Sequence, residues 1–563
     1  MKRIFGRSDW FWAVLLSVVV LLPNVYLAAV GVDLQGNLLA KIAFLLMSMV
    51  VFCFPALLFK AKVFFLLQGV FVLLAPVEIA HIYLNKTSVT TGFMMAVFDT
   101  DYHETMELLA SLLPFVLCVI CVWVLYFFIT IRKIENSYFV PKMKFRAGFL
   151  ACLALAFFLL FAYQYRMALR ITAKSEQNVV LESACSGFCS KFQKIYPCSI
   201  VLKSKAVLVV KNEIRRGQTD LQNFVFDARK KEQIKGKEIY VFVIGETGRY
   251  SSYSVNGYAR STSPLLEKID GLVSFSDFYS EANLTSMSLP FILTRATALE
   301  YDRYLHEKSF VDAFKEAGFK TYWIANQSAG NSFIKRISKD ADGEYFTTKD
   351  FDQTDNFDQN LWVYLDKVLE KNDEKVLIVL HTLGSHYRYN YRYPAEYEVF
   401  KPSFRGAFNY NMTVPENKEL FINTYDNSIL YTDYFLANTI KKIEKQNAVS
   451  FFMYVADHGE NLFDTADNIV LHGGVHPTNF DVHVPFFVWS SDKYKENYGQ
   501  KWANTMNNKD KKLDASVLFY SILDAADIDF SAQNKERSIV SDLLKEDTVR
   551  YVLTSDYTVK VFK

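Results

Sequence analysis

Apolar positions run almost without interruption from residue 10 to residue 165, and beyond residue 166 short apolar runs alternate with amphipathic stretches. A helix that crosses a bilayer needs about 20 apolar residues. Five windows meet that length: residues 10–30, 38–59, 63–84, 108–131 and 149–165. The first is longer than a signal-peptide core and shows no small-residue cleavage site, so it reads as a retained anchor. An odd number of spans puts the two flanking segments on opposite sides of the membrane. Lys2, Arg3 and Arg7 precede the first window, Lys60 and Lys62 separate the second from the third, and Arg132, Lys133, Lys142, Lys144 and Arg146 separate the fourth from the fifth. The alternate loops are poor in basic residues, with none at 31–37 and only Lys86 against Asp99, Asp101, Glu104 and Glu107 at 85–107. The N-terminus is therefore expected in the cytoplasm and everything after about residue 166 on the far side. Glu78 and His81 stand three apart near the outer end of the third window, on one helix face, where a functional role and an interhelical hydrogen bond compete as readings.

The outer part changes period. Residues 203–235 are polar and helical in pattern, a bridge that divides the chain into 1–165 (membrane spans), 166–235 (bridging segment) and 236–563 (outer domain). Residues 237–246 then form a β-branched and aromatic run with too few polar positions for a half-solvated strand, so both faces are expected to be buried. Similar runs recur at 321–324, 376–380, 449–455 and 482–489, with helical patterns between them at 310–317, 361–369, 418–445 and 513–526. Strands alternating with helices predict an α/β domain, helices flanking a mostly parallel sheet, whose ligands gather beyond the carboxyl ends of the strands.

Composition narrows the class. Charged residues are only 22% of the chain and aromatics 16%, too apolar for disorder, and 62 basic against 60 acidic side chains leave no field for neutralising nucleic-acid phosphates. Cys53, Cys118, Cys121 and Cys152 fall in the spans and read as small apolar side chains. Cys185, Cys189 and Cys198 follow the last span in a compartment expected to be oxidising, so one disulfide among them is expected, its pairing open.

Reactive residues collect where the buried runs end: Gly245-Glu246-Thr247 after the first, the 381–386 segment from His381 to His386 after the third, and Asp457-His458-Gly459-Glu460 after the fourth, with His472 and His476 soon beyond. A lone histidine is ordinarily a satisfied surface or core residue. Asp457 and His458 directly after a fully apolar strand are different, because burying them is costly without a partner charge or ion. Glu, Asp and His together suit Zn²⁺ or a similar divalent ion. Thr285, in a hydroxyl-rich stretch before an apolar run, stands where a helix could begin and offer free N–H groups to an anion, although a capping hydroxyl is its ordinary role.

At this point the chain resembles the membrane-anchored phosphoethanolamine transferases of Gram-negative bacteria, which include lipid A modifying and mobile colistin-resistance enzymes within the alkaline phosphatase and sulfatase superfamily. The resemblance spans nearly the whole chain. It rests on Gly245-Glu246-Thr247, residues 256–260, Thr285 with Ser288 and Pro290, His381 to His386, Arg392-Tyr393-Pro394, residues 423–427, Asp457-His458-Gly459-Glu460, Leu471-His472-Gly473 and His483 with Pro485, in this order. It implies a sulfatase-like outer domain in which Glu246, Asp457 and His458 bind zinc with Thr285 as fourth ligand and nucleophile. His386 and His472 would meet the phosphoryl group or a second zinc, and Thr100, Glu104 and Ser328 would contact substrate. The family often has Asn at the position of Ala96. The resemblance further implies a monomeric, multi-pass enzyme of the bacterial inner membrane with a periplasmic catalytic domain. It would move phosphoethanolamine from phosphatidylethanolamine to lipid A or lipopolysaccharide core through a phosphoethanolamine-threonine intermediate, conferring polymyxin resistance. One departure stands out: many relatives have Cys on either side of the nucleophile, where this chain has Glu281 and Phe291.

Four other readings compete, of which a true sulfatase would want Cys or Ser followed by x-Pro-x-Arg, whereas Ser288-Leu-Pro290 is followed by Phe291-Ile292. A glycerol-phosphate transferase of the lipoteichoic acid type would share the spans, metal and threonine; the His381–His386 spacing and the 423–427 motif favour the ethanolamine branch. Transfer to periplasmic glucan or protein is a further alternative. A non-catalytic receptor with a structural metal would not need a hydroxyl at the metal.

Overall fold

The computed structural model describes residues 7–99, 113–140, 142–171, 177–221, 223–327, 332–347, 356–406 and 414–562. The chain forms two compact units, Met1–Met94 with Tyr102–Val207, and Met95–Asp101 with Leu208–Lys563.

The helices of the first part are α1 (Arg7–Val30), α2 (Leu38–Leu58), α3 (Ala61–Asn85), α4 (Thr91–Asp99), α5 (Leu113–Lys133), α6 (Met143–Ile171), α7 (Gln177–Ser190) and α8 (Cys198–Leu221). Among the described residues five helices are long and apolar enough to cross a membrane: Asp9–Val30, Leu38–Leu58, Ala61–Asn85, Leu113–Lys133 and Met143–Leu169. The five expected windows are thus recovered. The fifth is longer than its apolar core because Lys144 and Arg146 at one end and Arg166 at the other continue the helix with polar turns; residues 108–112 of the fourth lie outside the described residues. The bundle core packs Leu16 and Val20 of α1 against Phe64 and Phe65 of α3 and Tyr126 of α5.

Glu78 and His81 make interhelical and loop hydrogen bonds. Glu78 is buried, and its Oε2 accepts from Ser199 Oγ at 2.8 Å, while His81 Nδ1 meets the Thr87 carbonyl at 3.0 Å. The expected disulfide is not formed: Cys185, Cys189 and Cys198 are all free thiols. Cys185 and Cys189 stand one turn apart on α7, where side chains at i and i+4 lie one above the other on a helix face, and Cys198 opens the next helix.

In the second unit the expected buried runs become a mixed seven-stranded sheet. Its strands are β1 (Glu238–Gly245), β2 (Val273–Ser274), β3 (Lys320–Ala325), β4 (Gly343–Phe346), β5 (Lys375–His381), β6 (Val449–Ala456) and β7 (Phe486–Ser490), in the order β2-β7-β6-β1-β5-β3-β4. β1 is central and parallel to β5 and β6, and β3 is parallel to β4 and β5. Every residue of β1 and β6 is buried, as expected for strands covered on both faces.

Helices α9 (Thr285–Leu293), α10 (Phe310–Glu316), α11 (Leu361–Leu369), α12 (Lys418–Glu444) and α13 (Val517–Ala525) belong to this unit. Two expected elements differ. The run at 482–489 is not one strand, because Pro485 cannot donate a ladder bond. A helical turn, Asn479–Val482, capped by Thr478 and Asp481, precedes it, and β7 then runs antiparallel to β6 and β2. The pattern at 513–526 splits where Asp514 Oδ1 accepts from Ser516 N at 3.1 Å, leaving a two-residue strand before α13.

A buried ion pair ties the entry of the domain to β1. Lys230 Nζ donates to Glu238 Oε2, Tyr498 OH and the Ala526 carbonyl, each at 2.8 Å, with both charged side chains 1% exposed. Removing one member of such a pair strands the other charge, at a cost of about 3–5 kcal/mol. Lys230→Met should therefore lower the urea midpoint of the full chain, followed by tryptophan fluorescence, without changing bound metal. An unchanged midpoint would show that the pair contributes nothing to stability.

Candidate metal centre

Because β1 and β6 are adjacent and in register up to Gly245 opposite Ala456, the residues that follow them emerge side by side. Glu246, Asp457 and His458 each offer a ligand atom within 4.8 Å of the others, and all three are buried. His458 Nε2 lies 3.6 Å from Glu246 Oε1 and 3.4 Å from Asp457 Oδ2. Thr285, the first residue of α9, brings its Oγ1 to 3.3 Å from both Glu246 oxygens and 3.2 Å from His458 Nε2. Four residues from three separate segments of the chain thus converge.

Each is oriented by a second contact. The His458 Nδ1–H donates to the Gly459 carbonyl at 2.9 Å, which leaves the Nε2 lone pair facing Thr285. Asp457 Oδ1 accepts from the N–H of Thr247 and of His458 at 3.0 and 2.8 Å. Asp457 Oδ2 is buried with no hydrogen-bond partner among the described residues. Gln327 Nε2 donates to Glu246 Oε2 at 2.8 Å and to the Thr382 carbonyl at 3.1 Å. Burial pulls the His458 imidazole down, but Asp457 and Glu246 outweigh it and hold its pKa above the ordinary value, and a cation bound between the carboxylates would take the place of the Nε2 proton. An orphaned carboxylate oxygen, two acidic groups and a lone-pair imidazole nitrogen in one buried pocket form a donor set that fits zinc.

Backbone shape lets these loops approach. Gly384 has a φ of 48°, and a Cβ there would come within 2.7 Å of the Glu246 carbonyl oxygen. The Asp358 carboxylate anchors the same turn by accepting from Leu383 N and Gly384 N at 2.8 and 2.9 Å. The 423–427 motif lies on α12 and acts as a clamp. Tyr425 OH donates to the Thr247 carbonyl at 2.7 Å and accepts from Arg249 N, and Ser428 Oγ meets Ser385 Oγ at 2.8 Å.

His386 and His472 flank the four. His386 lies within electrostatic reach of Glu246, His472 and His458, and burial holds its imidazole down at about 4. The His472 ring sits 4.0 Å from that of His458, and burial first, then His458, holds it well below its usual range. Its Nδ1 is 3.1 Å from Glu460 Oε1, while Tyr389 OH donates to Glu460 Oε2 at 2.7 Å; burial pushes the Glu460 carboxyl up to about 8. Thr100, Glu104 and Ser328 lie outside the described residues. Sequence reasoning gave Glu460 no individual role and missed Gln327; the first was visible in the Asp457–Glu460 cluster, the second only through its neighbour Ser328.

Glu281 and Phe291 stand on either side of Thr285. Glu281 Oε1 accepts from Ala298 N at 2.8 Å, its carbonyl accepts from Leu553 N at 2.7 Å, and burial pushes its carboxyl well above the ordinary range. Phe291 packs in the core, its ring 5.2 Å from that of Tyr301. Hydrogen bonds and apolar packing thus hold both ends of the segment that carries Thr285.

With the fold and the pocket in place, comparison with known proteins assigns the class: residues 238–528 match the sulfatase family, and the chain belongs to it. It is 32% identical over 291 residues to Kdo(2)-lipid A phosphoethanolamine 7''-transferase of Escherichia coli (strain K12), covering 48% of each chain. The chain spans about half the length of that relative and of several others it matches. The zinc complex of the C-terminal periplasmic domain of EptC from Escherichia coli superposes with a TM-score of 0.54 at 27% identity, covering 60% of this chain and 94% of that one. The integral membrane lipooligosaccharide phosphoethanolamine transferase A of Neisseria meningitidis shares the fold at a TM-score of 0.69 and 22% identity, over 94% of this chain and 98% of that one.

Two outcomes test the centre. Asp457→Ala should abolish stoichiometric zinc in elemental analysis of the purified chain; full occupancy in that variant would remove Asp457 from the ligand set. Gln327→Leu should weaken zinc affinity roughly 10–100-fold in a chelator competition, as loss of a partner that orients a ligand does; an unchanged affinity would make the Gln327 contact incidental.

Proposed function

We propose that this chain is a zinc-dependent transferase that moves phosphoethanolamine from phosphatidylethanolamine to a lipid-linked acceptor, lipid A or lipopolysaccharide core, through a covalent intermediate on Thr285. The observation that carries the reading is the Thr285 hydroxyl, 3.2–3.3 Å from Glu246 and His458 at the start of a helix. A serine or threonine hydroxyl is a weak nucleophile at neutral pH and needs activation. Glu246, Asp457 and His458, with Thr285, would hold the zinc ion, whose positive charge lowers the pKa of the hydroxyl.

Thr285 Oγ1 then attacks the donor phosphorus. An Oγ–P bond forms, the P–O bond to diacylglycerol breaks, and diacylglycerol leaves carrying the proton. In the second half an acceptor phosphate or hydroxyl oxygen attacks the same phosphorus, the bond to Thr285 breaks, and the threonine hydroxyl is regenerated with the proton of the acceptor hydroxyl or, for a phosphate acceptor, with the proton of its monoprotonated form or of a solvent water. His386 and His472, both held neutral by burial, suit hydrogen-bond donation to the phosphoryl oxygens that gain charge during transfer. The N-terminal turn of α9 faces the same charge with its free N–H groups.

The five apolar helices fit substrates that diffuse in a bilayer, and the loop charges support a cytoplasmic N-terminus and a periplasmic second unit. The chain acts as a monomer of the bacterial inner membrane in this reading, and the added amine lowers the negative surface charge that attracts polymyxin. The names of the relatives support donor group and acceptor class.

Incubation with phosphatidylethanolamine followed by intact-protein mass spectrometry should reveal a phosphoethanolamine adduct on wild-type protein and none on Thr285→Ala. Expression in a polymyxin-sensitive host should raise the inhibitory concentration for wild type and not for Thr285→Ala. An adduct on the Thr285→Ala protein would exclude Thr285 as nucleophile. An adduct without a polymyxin effect would redirect the acceptor to core sugar, glucan or protein.

A further inference from the structure

The segment after the fifth span turns back among the membrane helices. α7 runs along α6, with the Phe188 ring 6.4 Å from Phe157 and 5.9 Å from Phe161, and Phe192 5.9 Å from Phe157. Phe157 lies well inside α6, whose last residue is Ile171, so at 1.5 Å per residue the turn after α7 sits about 20 Å below that helix end. The turn is fastened there by polar contacts. Tyr196 N donates to Asn24 Oδ1 and Asn24 Nδ2 to the Tyr196 carbonyl, both at 2.8 Å, and Tyr196 OH bonds the Phe71 carbonyl. Ser199 is bonded to Glu78 on α3. A hairpin of α7 and the start of α8 is thus wedged between spans rather than lying beyond them.

Beside this wedge is a chamber of about 500 Å³, walled by Phe54 of α2, Gln68 and Phe71 of α3, Phe157 of α6, and Phe188 and Val201 of the hairpin. A buried water needs two to four polar partners. Apart from two weakly polar thiols, the lining offers only the amide of Gln68, which is buried and whose Oε1 has no hydrogen-bond partner among the described residues. Val201 is 51% exposed at the chamber wall, and neighbouring Phe158 and Leu159 on α6 are 65% and 59% exposed, so the chamber adjoins the apolar surface that a bilayer covers. Its size falls within the range of ligand pockets, roughly 300–1,000 Å³.

We propose that this chamber is a lipid-binding site that takes an acyl chain of a membrane glycerophospholipid, held beneath the re-entrant hairpin. The site is independent of the metal centre and stands whether or not phosphoethanolamine is the group transferred.

The test uses the full chain in vesicles of phosphatidylglycerol and phosphatidylethanolamine, doped with a phosphatidylethanolamine whose acyl chain carries a diazirine. After irradiation, peptide mapping should find adducts concentrated on Phe157, Phe188 and Val201 relative to Leu125, an outward residue of α5 that is 55% exposed. Val201→Trp, which fills the chamber, should lose the Phe157 and Phe188 adducts while keeping those on α5; Val201→Ala should retain both. If Val201→Trp does not fold, native mass spectrometry of the wild-type chain in mild detergent decides, with a retained phospholipid expected. Adducts no denser in the chamber than on α5, undiminished adducts in a folded Val201→Trp, or a lipid-free native spectrum would each overturn the proposal.

Discussion

The outer domain depends on two carboxylates and an imidazole taken out of water at neighbouring strand ends. Glu246, Asp457 and His458 are at most 2% exposed, and only one oxygen of Asp457 is hydrogen-bonded. Desolvating a charge costs several kcal/mol even after the protein relaxes, and the single positive charge of a protonated His458 offsets only one of two anions. A divalent cation would, and its field would fall on the hydroxyl of Thr285, 3.2–3.3 Å from Glu246 and His458. Stability and chemistry therefore rest on the same electrostatic requirement.

The surrounding sequence motifs serve that requirement indirectly. Tyr425 pins the loop after β1 by its backbone, Asn427 Oδ1 accepts from Val399 N and Phe400 N, and Arg260 binds Asp426 and Asn423. One helix thus fixes three loops, and the 423–427 segment needs no contact with substrate to be necessary. Glu460 plays a similar part for His472: clamped by Tyr389, it sets which face the imidazole presents. The glycine at 384 permits one of these close backbone approaches, since any Cβ there would collide with the backbone of Glu246.

Much of this architecture is legible in the order of residues, because burial on both faces demands uninterrupted apolar runs and charge has to wait for their ends. The five spans, four of the central strands, and Glu246, Asp457 and His458 at strand termini follow from that constraint. Residues whose roles depend on a distant partner are not legible in the same way. Gln327 looks like any loop amide until β3 is placed beside β5, and β7 reads as another parallel run until Pro485 and the capped turn before it reverse its direction. The α7–α8 hairpin reads as a bridge, since its pattern is too short and too mixed to announce a place among the spans.

Periodicity, local charge and strand-end chemistry by themselves determine a five-span membrane part, an α/β domain and a cluster of zinc-type ligands, for these depend on each segment's own exchange with water, lipid or the sheet. Tertiary structure alone decides that Thr285, far from Asp457 in the chain, stands within 3.2 Å of His458, that Glu281 bonds Ala298 while Phe291 packs beside Tyr301, and that Cys185, Cys189 and Cys198 remain thiols. Those outcomes depend on which strands become neighbours, and adjacency in a sheet is set by packing over the whole domain rather than by any local run of residues.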